Sequence, residues 1–375
     1  MNSAITEPVY PVAGQLISAR DLLEKFTVQQ WMSRGISRYS DLHLKAGRPA
    51  HYRFQGDMVA LEGAEPLTPE TAEKLILPFL NADQVAQLRA TPPTDVDTAW
   101  YWEEKKINFR LNVFNDQDGL AAVLRVLPNT MPDMSALGFP DPLVWEEVCG
   151  LQHGLVLVTG PTGSGKSTTI AGLLNHINHT RQARVITLED PIEYLFESDR
   201  SLFSQREVGR HLHSFADGLR SALREDPDII FVGELRDPET VSLALTAAET
   251  GHLVLSTLHS RDTRSAITRI VDVMPAQRVA ETATQLSLSL AYIFGQKLVS
   301  RVGGGRVLVT EVFKNTLSMA HLIRKNAVHQ MQMVIETGKK EGMSTFDSHL
   351  RALTDAGVIT REEAEQNSSS PNGIR

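Results

Sequence analysis

The chain has a single cysteine, Cys149, among 375 residues. One thiol cannot close an intrachain disulfide, and no cysteine cluster is available to hold zinc. Long apolar runs are also missing. No stretch approaches the roughly 20 residues a helix needs to span a bilayer. The opening MNSAITEPVYPVAGQ carries Glu7 and two prolines where a secretion signal would need an apolar segment, so none is expected there. Basic charge is not in excess: the net charge is −8, which argues against a dedicated nucleic-acid binder. There are no internal repeats. A cytoplasmic protein is expected, one that could still dock on a membrane complex through a partner.

The remaining composition, 42% apolar and 22% charged, is that of a soluble globular chain. Its length predicts two domains. Residues 1–20 read as irregular, and DLLEKFTVQQWM (21–32) as a helix. Leu42/Leu44 and Tyr52/Phe54 alternate around the turn signal AGRP, which predicts a hairpin. Ile107, Phe109, Leu111 and Val113 alternate on one strand, and LAAVLRVLP follows as another. This is the texture of a compact α+β domain over 1–133. The proline-rich PNTMPDMSALGFPDP (128–142) reads as a linker. Beyond it, over 134–375, the apolar runs GLVLVTG, RVITLED, DIIFVGE and HLVLSTLH alternate with helical patterns. One such pattern is Ile170, Leu173, Leu174 and Ile177; another is Ile267, Ile270, Val271 and Met274. Together they predict an α/β domain with a parallel sheet covered on both faces. The last 110 or so residues read as mostly helical, and EEAEQNSSSPNGIR as a disordered tail.

The strongest single signal is LVLVTGPTGSGKSTT. Gly160, Pro161, Thr162, Gly163, Ser164, Gly165, Lys166 and Ser167 match the G-x-x-x-x-G-K-[ST] phosphate loop, between an apolar strand and a helix as the motif requires. Glycines let backbone N–H groups turn toward phosphate oxygens, and the helix N-terminus adds its positive dipole end. Lys166 is expected to reach the β- and γ-phosphates of ATP. Ser167, with Thr168 beside it, is expected to offer a hydroxyl to Mg²⁺.

Hydrolysis also needs acids. DPDIIFVGE places Asp228 before a strand and Glu234 after it, and ITLEDPIEY supplies Glu189, Asp190 and Glu193 at the end of another. Ligands of open α/β sheets bind at the carboxyl ends of strands, so these strand-end acids should converge near the phosphates. His259 ends a further strand and is a candidate γ-phosphate sensor, with Thr257 adding a hydroxyl. His252 begins that strand, about 20 Å away at roughly 3.3 Å per residue, and is expected to cap the preceding helix or meet a neighbouring subunit.

These segments resemble a family. GPTGSGKST, TLEDPIEY, QREVG, LRSALREDPDIIFVGELRDPET and AAETGHLVLSTLH are similar to the Walker A, Asp box, Walker B and His box of the secretion ATPase superfamily. The likeness is strongest to type IV pilus retraction ATPases. SDLHL (40–44), FRLNVFN and HLIRKN (321–326) resemble its terminal domains. The resemblance implies a PAS-like N-terminal domain, a RecA-like P-loop ATPase domain and a homohexameric ring acting on an inner-membrane platform protein. It implies that Glu189 activates water and that Glu234 lies near Mg²⁺ or shares the base role. Arg110 and Arg125 would reach the nucleotide. Asp118 in FNDQDG stands where the family carries arginine, and the residues before HLIRKN differ from the retraction motif. The four-cysteine zinc motif of extension motors is missing. The expected function is therefore a pilus retraction motor. The alternatives are an ATPase of a type IVB secretion or conjugation system, a nucleic-acid-binding RecA-like protein, and a switch that binds ATP without hydrolysing it.

Overall fold

The computed structural model describes residues 3–24, 39–54, 57–127 and 130–369. The chain divides into two compact units, Met1–Thr130 and Met131–Arg375.

Where the sequence reads as irregular, the N-terminal unit has a short 3₁₀ helix (Ser3–Thr6) followed by strand pairing. Strands β1 (Tyr10–Val12) and β2 (Gln15–Ile17) form a hairpin over a two-residue turn. Ala13 and Gly14 both take positive φ there, as a tight hairpin turn requires. The hairpin clasps the rest of the unit. The Tyr10 hydroxyl donates to the Glu65 carbonyl at 2.8 Å and accepts from the Ala50 amide at 2.9 Å. The Ala13 amide donates to the Gly63 carbonyl at 2.7 Å. Tyr10 is fully buried, so Tyr10→Phe would leave the buried Ala50 amide short of an acceptor and the Glu65 carbonyl short of a donor. The expected loss is about 1–3 kcal/mol, read as a lower urea midpoint at unchanged slope. Helix is present at 19–24; the rest of the predicted 21–32 helix lies outside the described residues.

A six-stranded antiparallel sheet follows, built from β3 (Tyr39–Lys45), β4 (His51–Phe54), β5 (Asp57–Ala60), β6 (Val96–Trp102), β7 (Ile107–Asp116) and β8 (Gly119–Val126), in the order β5-β4-β3-β8-β7-β6. Alternation decides its faces. Leu42, Leu44, Phe109, Leu111, Val113 and Leu124 are buried in one core with Ala72, Leu75 and Ile76 of the Pro69–Ile76 helix. The opposite face is polar.

The second unit holds a seven-stranded sheet of β9 (Gly154–Thr159), β10 (Arg184–Glu189), β11 (Leu202–Glu207), β12 (Ile229–Val232), β13 (Leu253–Leu258), β14 (Leu290–Ser300) and β15 (Arg306–Lys314). The order is β11-β10-β12-β13-β9-β14-β15, all parallel except β15. Strands β9, β12 and β13 are buried along their whole length, because helices cover both faces. Ile170, Leu173, Leu174 and Ile177 of the Lys166–Thr180 helix pack on one face. Ile267, Ile270, Val271 and Met274 pack on the other.

Two expectations are corrected and one is refined. Helices dominate the described part of the last 110 or so residues, but β14 and β15 interrupt them as a long hairpin over Gly303, Gly304 and Gly305, all at positive φ. The tail does not begin at 362, because Arg361–Asn367 is a helix capped by the Thr360 hydroxyl. The 128–142 stretch is more than linker. Met134 is buried against Gly172, and the Phe139 and Phe294 ring centroids lie 5.3 Å apart.

Candidate nucleotide site

The register of the parallel strands gathers the site. Leu188 pairs with Val232, Val232 with Ser256, and Ser256 with Leu157. The next residues of all four strands therefore emerge at one edge of the sheet. They lead into Glu189, Glu234, His259 and the loop that opens at Gly160.

That loop is tightly folded. A Cβ at Gly160 would lie 2.4 Å from the Gln296 carbonyl oxygen and 2.5 Å from Ser164 Oγ, so only glycine fits. Gly163 and Gly165 take positive φ, and Gly165 opens the Lys166–Thr180 helix. Lys166 is buried. Its Nζ donates to the carbonyls of Gly160 at 2.9 Å and Pro161 at 3.0 Å, and lies 3.4 Å from His259 Nδ1. Burial pulls the Lys166 ammonium below its ordinary pKa, opposed by the charges of Glu234 and Glu193.

His259 links the lysine to the second acid. Its Nε2 is 3.6 Å from Glu234 Oε2, which also accepts from Arg236 Nε at 2.7 Å. Burial and the Lys166 charge hold the imidazole below its ordinary pKa, so it is neutral at neutral pH. Thr257 does not offer a spare hydroxyl, because it donates to the Gly233 carbonyl at 2.6 Å.

Glu189 is a different kind of acid. It is buried, and its Oε1 accepts from Thr187 Oγ1 at 2.6 Å and Gln205 Nε2 at 3.1 Å. Desolvation outweighs these bonds and raises its pKa to about 7. A carboxylate poised near neutrality is suited to accept a proton from water. Asp190 is exposed and Glu193 half-buried. Asp228 is at the far end of β12, accepting from the Arg184 amide at 2.7 Å, and takes no part. His252 is likewise remote. Its amide and its Nδ1 both meet the Ala247 carbonyl at the end of the Pro238–Glu249 helix.

The residues present fit a magnesium nucleotide. Ser167 is half-buried, and its hydroxyl has no partner among the described residues, whereas Thr168 Oγ1 is 3.1 Å from the Tyr194 hydroxyl. Ser164 Oγ is buried in the cradle without a partner among the described residues. The free hydroxyl of Ser167 and the acid of Glu234 are the oxygen donors a hard cation requires.

Arg110 and Arg125 lie in the N-terminal unit. They are direct cross-strand neighbours on the polar sheet face, and both are exposed. Arg125 Nε donates to the buried Asp41 carboxylate at 2.6 Å. Asp118 pairs with Lys45 at 2.9 Å.

Sequence reasoning missed the residues that hold the acids. Thr187 stands two positions before Glu189 on the same strand side. Gln205 lies in QREVG, and Arg236 two residues past Glu234. Gln296, whose Nε2 donates to Thr169 Oγ1 at 2.7 Å, went unnoticed because β14 itself was unrecognised.

Residues 20–365 match the family described as type II/IV secretion system protein. The type IV pilus retraction ATPase PilT of Pseudomonas aeruginosa is 44% identical over 335 residues, covering 89% of this chain and 96% of that protein. The crystal structure of a pilus retraction motor PilT with bound ADP superposes with a TM-score of 0.83 at 40% identity, covering 94% of this chain and 97% of that one. The ATPase DotB of Legionella pneumophila gives 0.80 at 26% identity, with 92% and 94% covered.

Proposed function

The chain belongs to the type II/IV secretion system protein family, and from that membership we propose that it is an ATP-hydrolysing motor that retracts a type IV pilus. The observation that carries the reading is the cluster at the strand ends: a buried Glu189 raised to about 7, beside the contact chain Lys166–His259–Glu234. Retraction rather than secretion or conjugation follows from the relatives, since DotB is the more distant at 26% identity against 40% and 44%.

ATP enters with its phosphates on the Gly160–Gly165 loop. Phosphate oxygens replace the Gly160 and Pro161 carbonyls and His259 as partners of Lys166. Released from the lysine, His259 turns its ring to the γ-phosphate and to Glu234, so the ring reads whether a γ-phosphate is present. Glu189 takes the proton of the attacking water. Glu234, fixed by Arg236, lies beside the phosphates. Magnesium, held through Ser167 with Glu234 close by, would neutralise phosphate charge. Arg110 and Arg125 are assigned to the transferring phosphoryl group, where guanidinium charge lowers the barrier. Residues 1–133 serve as the PAS-like domain and 134–375 as the RecA-like ATPase domain. The working form is a homohexamer acting on an inner-membrane platform protein. No helix among the described residues is long and apolar enough to cross a membrane.

Two measurements test this. Native mass spectrometry with ATP is expected to show six chains; a monomer at micromolar concentration would overturn the ring. In the pH profile of kcat/KM, which reports the free enzyme, activity is expected to rise about tenfold per unit up to about pH 7 and then level. A flat profile from pH 5.5 to 8.5 would exclude Glu189 as the base.

A further inference from the structure

A cleft of about 820 Å³ opens directly beside the nucleotide site. It shares two residues with that site. His259 lies 3.4 Å from Lys166 and 3.6 Å from Glu234, and Arg236 pairs with Glu234, yet both also line the cleft. From there the cleft runs along the Thr263–Asp272 helix, lined by Arg261, Arg264 and Arg269. Among the described residues, the acids lining it are Asp262 and Asp272. Asp262 is already engaged, capping the helix through the Ser265 amide at 2.7 Å and lying 3.5 Å from Arg264 Nη2. Arg264 Nε and Ser260 Oγ, on two residues that line the cleft, are buried with no hydrogen-bond partner among the described residues. A multiply charged oxyanion pairs with guanidinium groups through charge-assisted hydrogen bonds.

We propose that this cleft is a second anion site, separate from the phosphate loop, that takes inorganic phosphate as it leaves the catalytic centre past His259. With Arg236 already paired to Glu234, Arg261, Arg264 and Arg269 against Asp262 and Asp272 still leave a positive excess along the path, drawing the product away from the Lys166 end. Arg269 ties the two ends together, since its Nη1 donates to the His259 carbonyl at 3.1 Å. This inference rests on the ATP-hydrolysis reading above and adds the route of its product.

The test separates bond cleavage from product release in single-turnover kinetics with the full chain. Rapid quench of radiolabelled ATP reports cleavage; a fluorescent phosphate-binding protein reports release. Arg264→Gln removes one guanidinium charge from the cleft lining, and Thr268→Glu places a negative charge on the cleft wall. In both variants cleavage is expected to stay within about twofold of the unaltered chain, while release slows about tenfold. Release unchanged or faster in both variants would overturn the phosphate route and leave the hydrolysis reading standing. Absence of cleavage in the unaltered chain would instead overturn the hydrolysis reading itself. If Arg264→Gln does not fold, Thr268→Glu alone decides the outcome.

Discussion

Lys166→Ala is expected to lower ATP turnover by on the order of 10³-fold, the loss that follows when a charged donor to a developing phosphoryl charge is removed. The reason is geometric. Lys166 Nζ is held by two loop carbonyls and His259, partners that phosphate oxygens can replace without moving the helix. Nucleotide affinity should fall as well, because the contact exists in the ground state. Folding should change little, because two effects oppose. Burial disfavours the ammonium, and alanine at the first helical position removes that cost while keeping a good helix former, but it leaves the Gly160 and Pro161 carbonyls without their lysine donor. The expected pattern is a dead enzyme with a Tm close to that of the unaltered chain. Turnover within threefold of the unaltered chain would remove the phosphate loop from the catalytic account.

Glu189→Gln is expected to have the opposite profile in binding and an even clearer one in stability. Nucleotide affinity should be retained, kcat should fall on the order of 10²–10⁴-fold, and the rise of kcat/KM toward pH 7 should vanish. The stability effect follows from the sign of the shift. The carboxyl ionises near its ordinary 4.5 in the unfolded chain and at about 7 in the folded one. Between those values the folded state holds the extra proton, so stability falls as pH rises through that window. Above pH 7 the ionised, buried acid costs up to about 3 kcal/mol. Glutamine keeps an acceptor for Thr187 and Gln205 without the charge. The variant should therefore be more stable than the unaltered chain at pH 8 and no more stable at pH 4. A variant that loses activity and stability together at pH 8 would point to a structural role instead. The loss of activity with a gain of stability is the signature of a group kept for chemistry.

What could be read from sequence depended on whether a residue's role was local. The phosphate loop was legible because strand, glycines and helix are contiguous, and each needs only its neighbours. Glu189, Glu234 and His259 were legible as strand ends, since a parallel sheet collects its carboxyl ends at one edge. Their partners were less so. Whether Thr257 is free or committed to Gly233 depends on the neighbouring strand. So does the pairing of Gln205 on β11 with Glu189 on β10, which no spacing along the chain encodes. Strand β14 escaped notice for a related reason. It is buried on both faces over Tyr292–Gln296, so Leu290–Ser300 lacks the alternation that marks a strand. The Gly303–Gly305 turn was the available clue. The N-terminal clasp escaped because three-residue strands carry almost no pattern, although Ala13–Gly14 is a turn signal. Arg110 and Arg125 showed nothing functional in their alternation; their assignment comes from the resemblance.

The most direct measurement of the central claim is made in the native host. The gene is deleted and complemented with either the unaltered chain or Glu189→Gln, and surface pili are counted by electron microscopy while twitching is scored on agar. The account predicts excess pili and lost twitching in the deletion, both restored by the unaltered chain and neither by Glu189→Gln. Normal pilus numbers and normal twitching in the deletion strain would contradict it.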